Sequence, residues 1–295
     1  MLTVHDFNGE ADGYSARNAY FLADASAAAY LDGNGMLGWA ANARFAECHP
    51  FAGAAGKLLP GHVEGFVAKS DSVLLVSFRG TDVNLADWLL NFRTVPVPDR
   101  CLRGRVHKGF AEGLESVWAS VRPHLDARGN RRVWLTGHSQ GGALAVGCAA
   151  RATFEGAPVG IRGIYTYGQP RYGNSQFARA CAERLGAVMF RHVNNRDLVA
   201  RVPPVSLGFR HWGTEILFDD GQAPHRHDGP VESAETLWWR LLANRPNFGA
   251  WTAAFTGGDE QAALRTIFEQ AYDPATDHFI RTAYLPLLQR AAGLP

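Results

Sequence analysis

RVWLTGHSQGGALAVGCAARATF, residues 132–154, is the stretch whose reading decides the fold. Arg132 to Thr136 is a short apolar run of the kind that forms a strand buried on both faces. Ala143 to Phe154 is small and apolar, as a helix packed tightly under a sheet would be. Between them, Gly137-His138-Ser139-Gln140-Gly141 leaves room only for a tight strand-to-helix turn. Working outward, Ser72 to Phe78 (SVLLVSF) reads as a second buried strand, followed by helical spacing from Gly109 to Leu125. Beyond the turn, strands are expected at Gly163–Tyr167, Val188–Val193 and His211–Phe218, with a helix at Asn174–Leu185. Alternation of this sort predicts a mostly parallel sheet with helices on both faces. An alanine-rich helix is expected from Ala19 to Leu31.

The bulk numbers agree with such a domain. The chain has 295 residues, is 46% hydrophobic and 19% charged, and carries a net charge of +1. At this length a core needs no disulfide or metal staple. A near-neutral balance gives no ground for nucleic acid as a partner. Cys48, Cys101, Cys148 and Cys181 have no metal-ligand spacing and read as free thiols, with a Cys48–Cys101 disulfide left open. The first residues carry acids and no apolar run, so the expectation is a cytoplasmic protein or one exported without a leader. The stretch from Ala19 to Leu31 is too short to cross a bilayer, and no transmembrane segment is expected.

The turn carries the chemistry. A serine in G-x-S-x-G between a buried strand and a helix is held in strained backbone angles, with its Oγ presented at the sheet edge. Its neighbours two residues away must be small, and Gly137 and Gly141 meet that need. Ser139 is therefore the expected nucleophile. The helix N-terminus aims free N–H groups at the same place, which makes the Gln140 N–H an oxyanion donor.

Five blocks in order extend this reading: Phe78-Arg79-Gly80-Thr81, Val106-His107-Lys108-Gly109-Phe110, GHSQGGALA, Tyr167-Gly168-Gln169-Pro170-Arg171 and Asn195-Arg196-Asp197. Together they resemble the class 3 lipases, over roughly residues 60–220 plus an Asp277-His278 near the C-terminus. The resemblance implies an α/β-hydrolase fold, a Ser-Asp-His triad and hydrolysis of carboxylic esters, usually acylglycerols. It implies that Thr81, after the F-R-G, supplies the second oxyanion donor. Capping of a helix beginning near Asp82 is a compatible role for the same residue.

Chain order in this fold is serine, acid, histidine. Asp197 follows the Val188–Val193 strand and matches the family's acid, whereas Asp219, Asp220 and Asp228 follow the wrong strand. His278 matches the family's C-terminal histidine. His211 matches a family block as a structural neighbour, and His225 and His227 read as solvated members of a polar loop at 219–230. His107 and His138 are expected as structural supports around the site.

The expected architecture is one α/β-hydrolase domain over 1–295, with a central mostly parallel sheet and a helical, aromatic-rich insertion near the C-terminus. Residues 82–98 resemble the family's lid helix, and Trp88 and Leu89 are the candidate substrate-binding residues. A permanently buried amphipathic helix is the competing reading. The insertion or cap spans 221–275, with its aromatic density at 231–256 read either as core or as an acyl-chain wall. No cofactor or metal is needed for this chemistry. The expected partners are a lipid or other ester and a transient lipid interface. Alternatives with the same site are a phospholipase A1 or a short-chain carboxylesterase. From another class, a lipase-like binding protein without turnover also stands.

Overall fold

The computed structural model describes residues 2–54, 62–81, 94–99, 101, 104–194, 197, 199–218, 224–227 and 278–295. Two helices come first, α1 (Ala16–Ala28) and α2 (Gly33–Asn42). Strands β1 (Glu47–Ala54), β2 (His62–Lys69) and β3 (Val73–Phe78) follow. After β4 (Pro96–Pro98) and β5 (Arg105–His107) comes α3 (Lys108–Asp126). Then β6 (Arg132–His138) leads into α4 (Gln140–Phe154), and β7 (Ile161–Tyr167) follows. Next are β8 (Gly173–Asn174), α5 (Ser175–Leu185), β9 (Met189–Asn194), β10 (Phe209–Arg210), β11 (Thr214–Phe218) and β12 (His225–His227). A π-helical turn at Ile280–Tyr284 runs into α6 (Leu285–Ala291).

The main sheet has the order β1-β2-β3-β6-β7-β9-β11-β12. Its centre, from β3 through β11, is parallel. β1 and β2 at one edge and β12 at the other run antiparallel. Period-two alternation divides the buried side chains of β3 between two cores. Leu74, Val76 and Phe78 join α3 and α4 on one face, while Val73 and Leu75 join α1, α2 and α6 on the other. β6 does the same, with Val133 and Leu135 on the α3 side and Trp134 on the α1 side. This is the mostly parallel sheet with helices on both faces that the alternation predicts, and the α/β-hydrolase fold that the resemblance implies. A small antiparallel sheet, β10-β8-β5-β4, lies beside it.

Several expectations shift. α1 starts and stops three residues earlier than expected because Ser15 caps it, accepting from the Asn18 N–H at 3.2 Å. The strand expected from His211 begins only at Thr214, since Gly213 at φ 78° turns the chain first. The expected loop at 219–230 contains β12, which pairs with Glu215–Leu217. β1 and β2 escaped the sequence reading because β1 is mostly exposed and carries no apolar run. Of the stretch expected as a lid helix, Pro96–Pro98 is a strand and 82–93 lie outside the described residues. Of the insertion at 221–275, only 224–227 are described. All four cysteines are free thiols, so the Cys48–Cys101 pairing is not formed. Among the described residues no helix is long and apolar enough to cross a membrane.

Candidate active site

Parallel strands deliver their C-terminal ends, and the loops after them, to one edge of the sheet. At the end of β6 the chain turns through Ser139, whose φ of 56° and ψ of −131° are costly for any residue with a side chain, by about 1–3 kcal/mol. The Ser139 N–H donates to the Tyr167 carbonyl at 2.8 Å, and the Ser139 carbonyl accepts from Gly142 at 2.9 Å. The glycine requirement has a defined steric origin. A Cβ on Gly141 would lie 2.2 Å from the Phe78 carbonyl oxygen, and one on Gly137 would lie 2.3 Å from the Gly141 backbone. The turn is thus wedged against the end of β3, which carries Arg79, Gly80 and Thr81. Thr81 is half-buried, and Gln140 is buried at the first position of α4.

Asp197 lies in the segment after β9 and is fully buried. Its Oδ2 accepts from His278 Nδ1 at 2.8 Å and from the Tyr284 hydroxyl at 2.7 Å, and its Oδ1 accepts from the Val199 N–H at 2.9 Å. Burial on its own would raise the Asp197 carboxyl. The charge of His278, its hydrogen bond and the Tyr284 hydroxyl outweigh burial and hold it below the usual carboxylate value. A carboxylate can only accept, so His278 carries its proton on Nδ1 and has a lone pair at Nε2. His278 Nε2 and Ser139 Oγ are both buried, and neither has a hydrogen-bond partner among the described residues. An imidazole lone pair and a serine hydroxyl are thus both left with bonding capacity to spend.

Backbone geometry at β7 fits the histidine closely. Gly168 has φ of 56°, and a Cβ there would lie 2.5 Å from Asp197 Oδ2 and 2.9 Å from His278 Nδ1. The Gly168 N–H donates to the His192 carbonyl at 3.0 Å. Sequence reasoning assigned Gly168 only to a motif and missed Tyr284 altogether. The only signal for Tyr284 is a tyrosine six residues after His278, in a segment with no other polar aromatic.

The segment carrying Asp197 is tied down from behind. His211 Nε2 donates to the Ala200 carbonyl at 2.8 Å, and burial beside Arg191 and Arg171 keeps its imidazole neutral. Arg171 Nη1 donates to the carbonyls of Arg201 and Pro203. Deeper still, Arg191 and Glu215 form an ion pair at 3.3 Å, both nearly inaccessible. His107 caps α3 by accepting from the Phe110 N–H at 3.4 Å. His225 and His227 are exposed on β12, far in character from a buried base. Trp88, Leu89, Asp219, Asp220 and Asp228 lie outside the described residues. No group of three metal-ligating side chains occurs among the described residues.

The fold is the α/β-hydrolase fold, and Ser139 stands in its strand-to-helix turn. Residues 75–207 match the family model described as lipase (class 3). The secreted mono- and diacylglycerol lipase 1 of Fusarium solani is 35% identical over 156 residues, covering 50% of this chain and 44% of that protein. The lipase of Rhizomucor miehei is 35% identical over 163 residues, covering 52% and 44%. Lipase II from Rhizopus niveus superposes with a TM-score of 0.60 at 25% identity, covering 75% of this chain and 89% of that structure. The chain spans less than half the length of the two curated relatives it matches here. The expectation of a cytoplasmic or leaderless protein is overturned, because the Fusarium solani relative is named as secreted. That expectation rested on the composition of the first residues alone, which is a weak guide to destination.

Proposed function

We propose that this protein is a serine carboxylic-ester hydrolase acting on acylglycerols through an acyl-enzyme. One observation carries the reading: Ser139 Oγ is buried without a partner among the described residues, and His278, packed on the neighbouring His138 ring, is fixed by Asp197 so that Nε2 is the free base. In the first half-reaction His278 takes the Ser139 proton, and Ser139 attacks the ester carbonyl. The N–H groups of Thr81 and Gln140 receive the developing oxyanion. The alcohol leaves with the proton held on His278. Water then gives its proton to His278, attacks the acyl-serine, and releases the acid. Asp197 holds the Nδ1–H tautomer throughout and offsets the imidazolium charge. Domain extent, with one domain over 1–295, a cap at 221–275, and Trp88 and Leu89 against the acyl chain, belongs to the same reading.

Acylglycerols are favoured over other esters by the names of the relatives, which include a mono- and diacylglycerol lipase. Conversion to a silent binding protein is disfavoured by the intact Asp197–His278–Tyr284 bonding, which such a protein would have no need to keep. The test is hydrolysis of p-nitrophenyl esters from acetate to palmitate, and of mono-, di- and triacylglycerols, by wild type beside Ser139→Ala. Activity that is lost in the variant supports the reading. An optimum at acetate would replace a lipase with a short-chain esterase, and no turnover by wild type on any ester would sink it.

A further inference from the structure

We propose that Tyr30 and His138 are positioning residues, forming a one-directional hydrogen-bond relay that ties the oxyanion loop to the backbone of the base. The inference rests on the esterase reading of Ser139 and His278 for its catalytic meaning.

His138 sits between Gly137 and Ser139, 3% exposed, with its ring 4.5 Å from that of His278. Burial, and then the charge of His278, hold its imidazole at about 3, so it is neutral and carries one N–H. His138 Nε2 lies 2.6 Å from the His278 carbonyl oxygen. A carbonyl can only accept, so the proton is on Nε2 and Nδ1 is a bare acceptor. The Tyr30 hydroxyl, 2.7 Å from Nδ1, must therefore donate to it. Burial keeps the Tyr30 phenol protonated, and its oxygen packs against the backbone of Gly80. The approach at Gly80 is close enough that a Cβ there would lie 2.1 Å from the Tyr30 oxygen.

The resulting chain runs from the Tyr30 hydroxyl, packed against Gly80, through His138 to the His278 carbonyl. Each link has one donor and one acceptor, and reversing it would require the carbonyl to donate. Three segments distant in sequence are thereby held in one register: the loop bearing Thr81, the turn bearing Ser139, and the residue bearing the base. Asp197 fixes the direction of the His278 ring. The relay fixes the peptide from which that ring projects, and the same phenol anchors the loop that meets the oxyanion. Angstrom-scale misplacement of such groups costs turnover far more than binding.

The experiment uses the full chain with p-nitrophenyl butyrate and the variants Tyr30→Phe, His138→Gln, His138→Asn and Tyr14→Phe. Tyr30→Phe removes one oxygen and keeps the ring, so it folds. Its kcat is expected to fall roughly tenfold with KM unchanged. His138→Asn loses the donor that reaches His278, and kcat falls roughly a hundredfold. His138→Gln has an amide N–H at the reach of Nε2 and recovers most of that loss. Tyr14→Phe is the control, because the Tyr14 hydroxyl has no hydrogen-bond partner among the described residues, and its kcat stays at the wild-type value. Nitrogen NMR of labelled histidines reads the His138 tautomer independently of activity. Nε2–H with a bare Nδ1 is expected in the wild type. An Nδ1–H tautomer, an unchanged kcat in Tyr30→Phe, or equal losses in the Gln and Asn variants overturns the relay. If the wild type hydrolyses no ester, the functional reading fails, while the tautomer still decides the hydrogen-bond chain.

Discussion

Tyr284→Phe isolates one hydroxyl that serves the buried acid. In the native protein that hydroxyl donates to Asp197 Oδ2 at 2.7 Å and accepts from the Asn194 N–H at 3.0 Å. Loss of a hydrogen bond to a buried carboxylate costs about 1.5–3 kcal/mol, and the deserted amide adds about 1 more. A total near 3 kcal/mol over 295 residues corresponds to a melting temperature lowered by about 5 °C. The effect depends on pH in a defined direction. Asp197 is held below its reference value of 3.8, so the stability from its ionised form is complete above that value. It is lost as pH falls through the folded value. Removing the Tyr284 bond lets the folded value rise, so the two proteins differ by a constant amount from about pH 7 to about pH 5. The difference shrinks below about pH 4. In catalysis the variant loses one restraint on the carboxylate that supports the imidazolium, and kcat falls about tenfold with KM unchanged. Denaturant melts across pH, with kcat on p-nitrophenyl butyrate, check both arms. Unchanged stability at neutral pH, or a difference that grows on acidification, would refute the assignment of Tyr284 to the ionised acid.

Three other outcomes follow from particular contacts. Ser139→Ala abolishes ester turnover and keeps the strained backbone, whereas Ser139→Gly is equally inactive but about 1 kcal/mol more stable by thermal melting, because glycine tolerates φ of 56°. Gly168→Ala places a Cβ 2.5 Å from Asp197 Oδ2 at a positive φ; about 2–4 kcal/mol of stability and more than about 99% of kcat are lost, read by melting and initial rates. Arg191→Met strands the Glu215 carboxylate in the core and costs about 3–5 kcal/mol in denaturant unfolding, while pairing it with Glu215→Leu recovers much of that loss.

How far the sequence discloses this molecule depends on whether a feature is local. The turn at Ser139 is legible because its glycines are demanded by contacts within a few residues and with β3. The parallel strands are legible because a strand buried on both faces must be an unbroken apolar run, as SVLLVSF is. β1 and β12 are not, since an exposed edge strand has no such run and takes its identity from the neighbour it pairs with. Tyr30 and Tyr284 fail for the same reason. Each is an ordinary tyrosine until the fold sets its hydroxyl against His138 or Asp197.

Histidine gives the sharpest case. His211, His225, His227 and His278 have one side chain and one intrinsic basicity, so nothing in residue type separates them. What separates them is the acceptor met by the other ring nitrogen. His211 spends its Nε2 proton on the Ala200 carbonyl, a neutral partner that gives an imidazolium little support. His225 and His227 are exposed to solvent, which competes for both ring nitrogens. His278 alone of the four has Nδ1 against a buried carboxylate, which both frees Nε2 to take a proton and stabilises the charge that results. The family pattern can point to His278, but the reason it is fit to be the base exists only in three dimensions, 81 positions from the residue that makes it so.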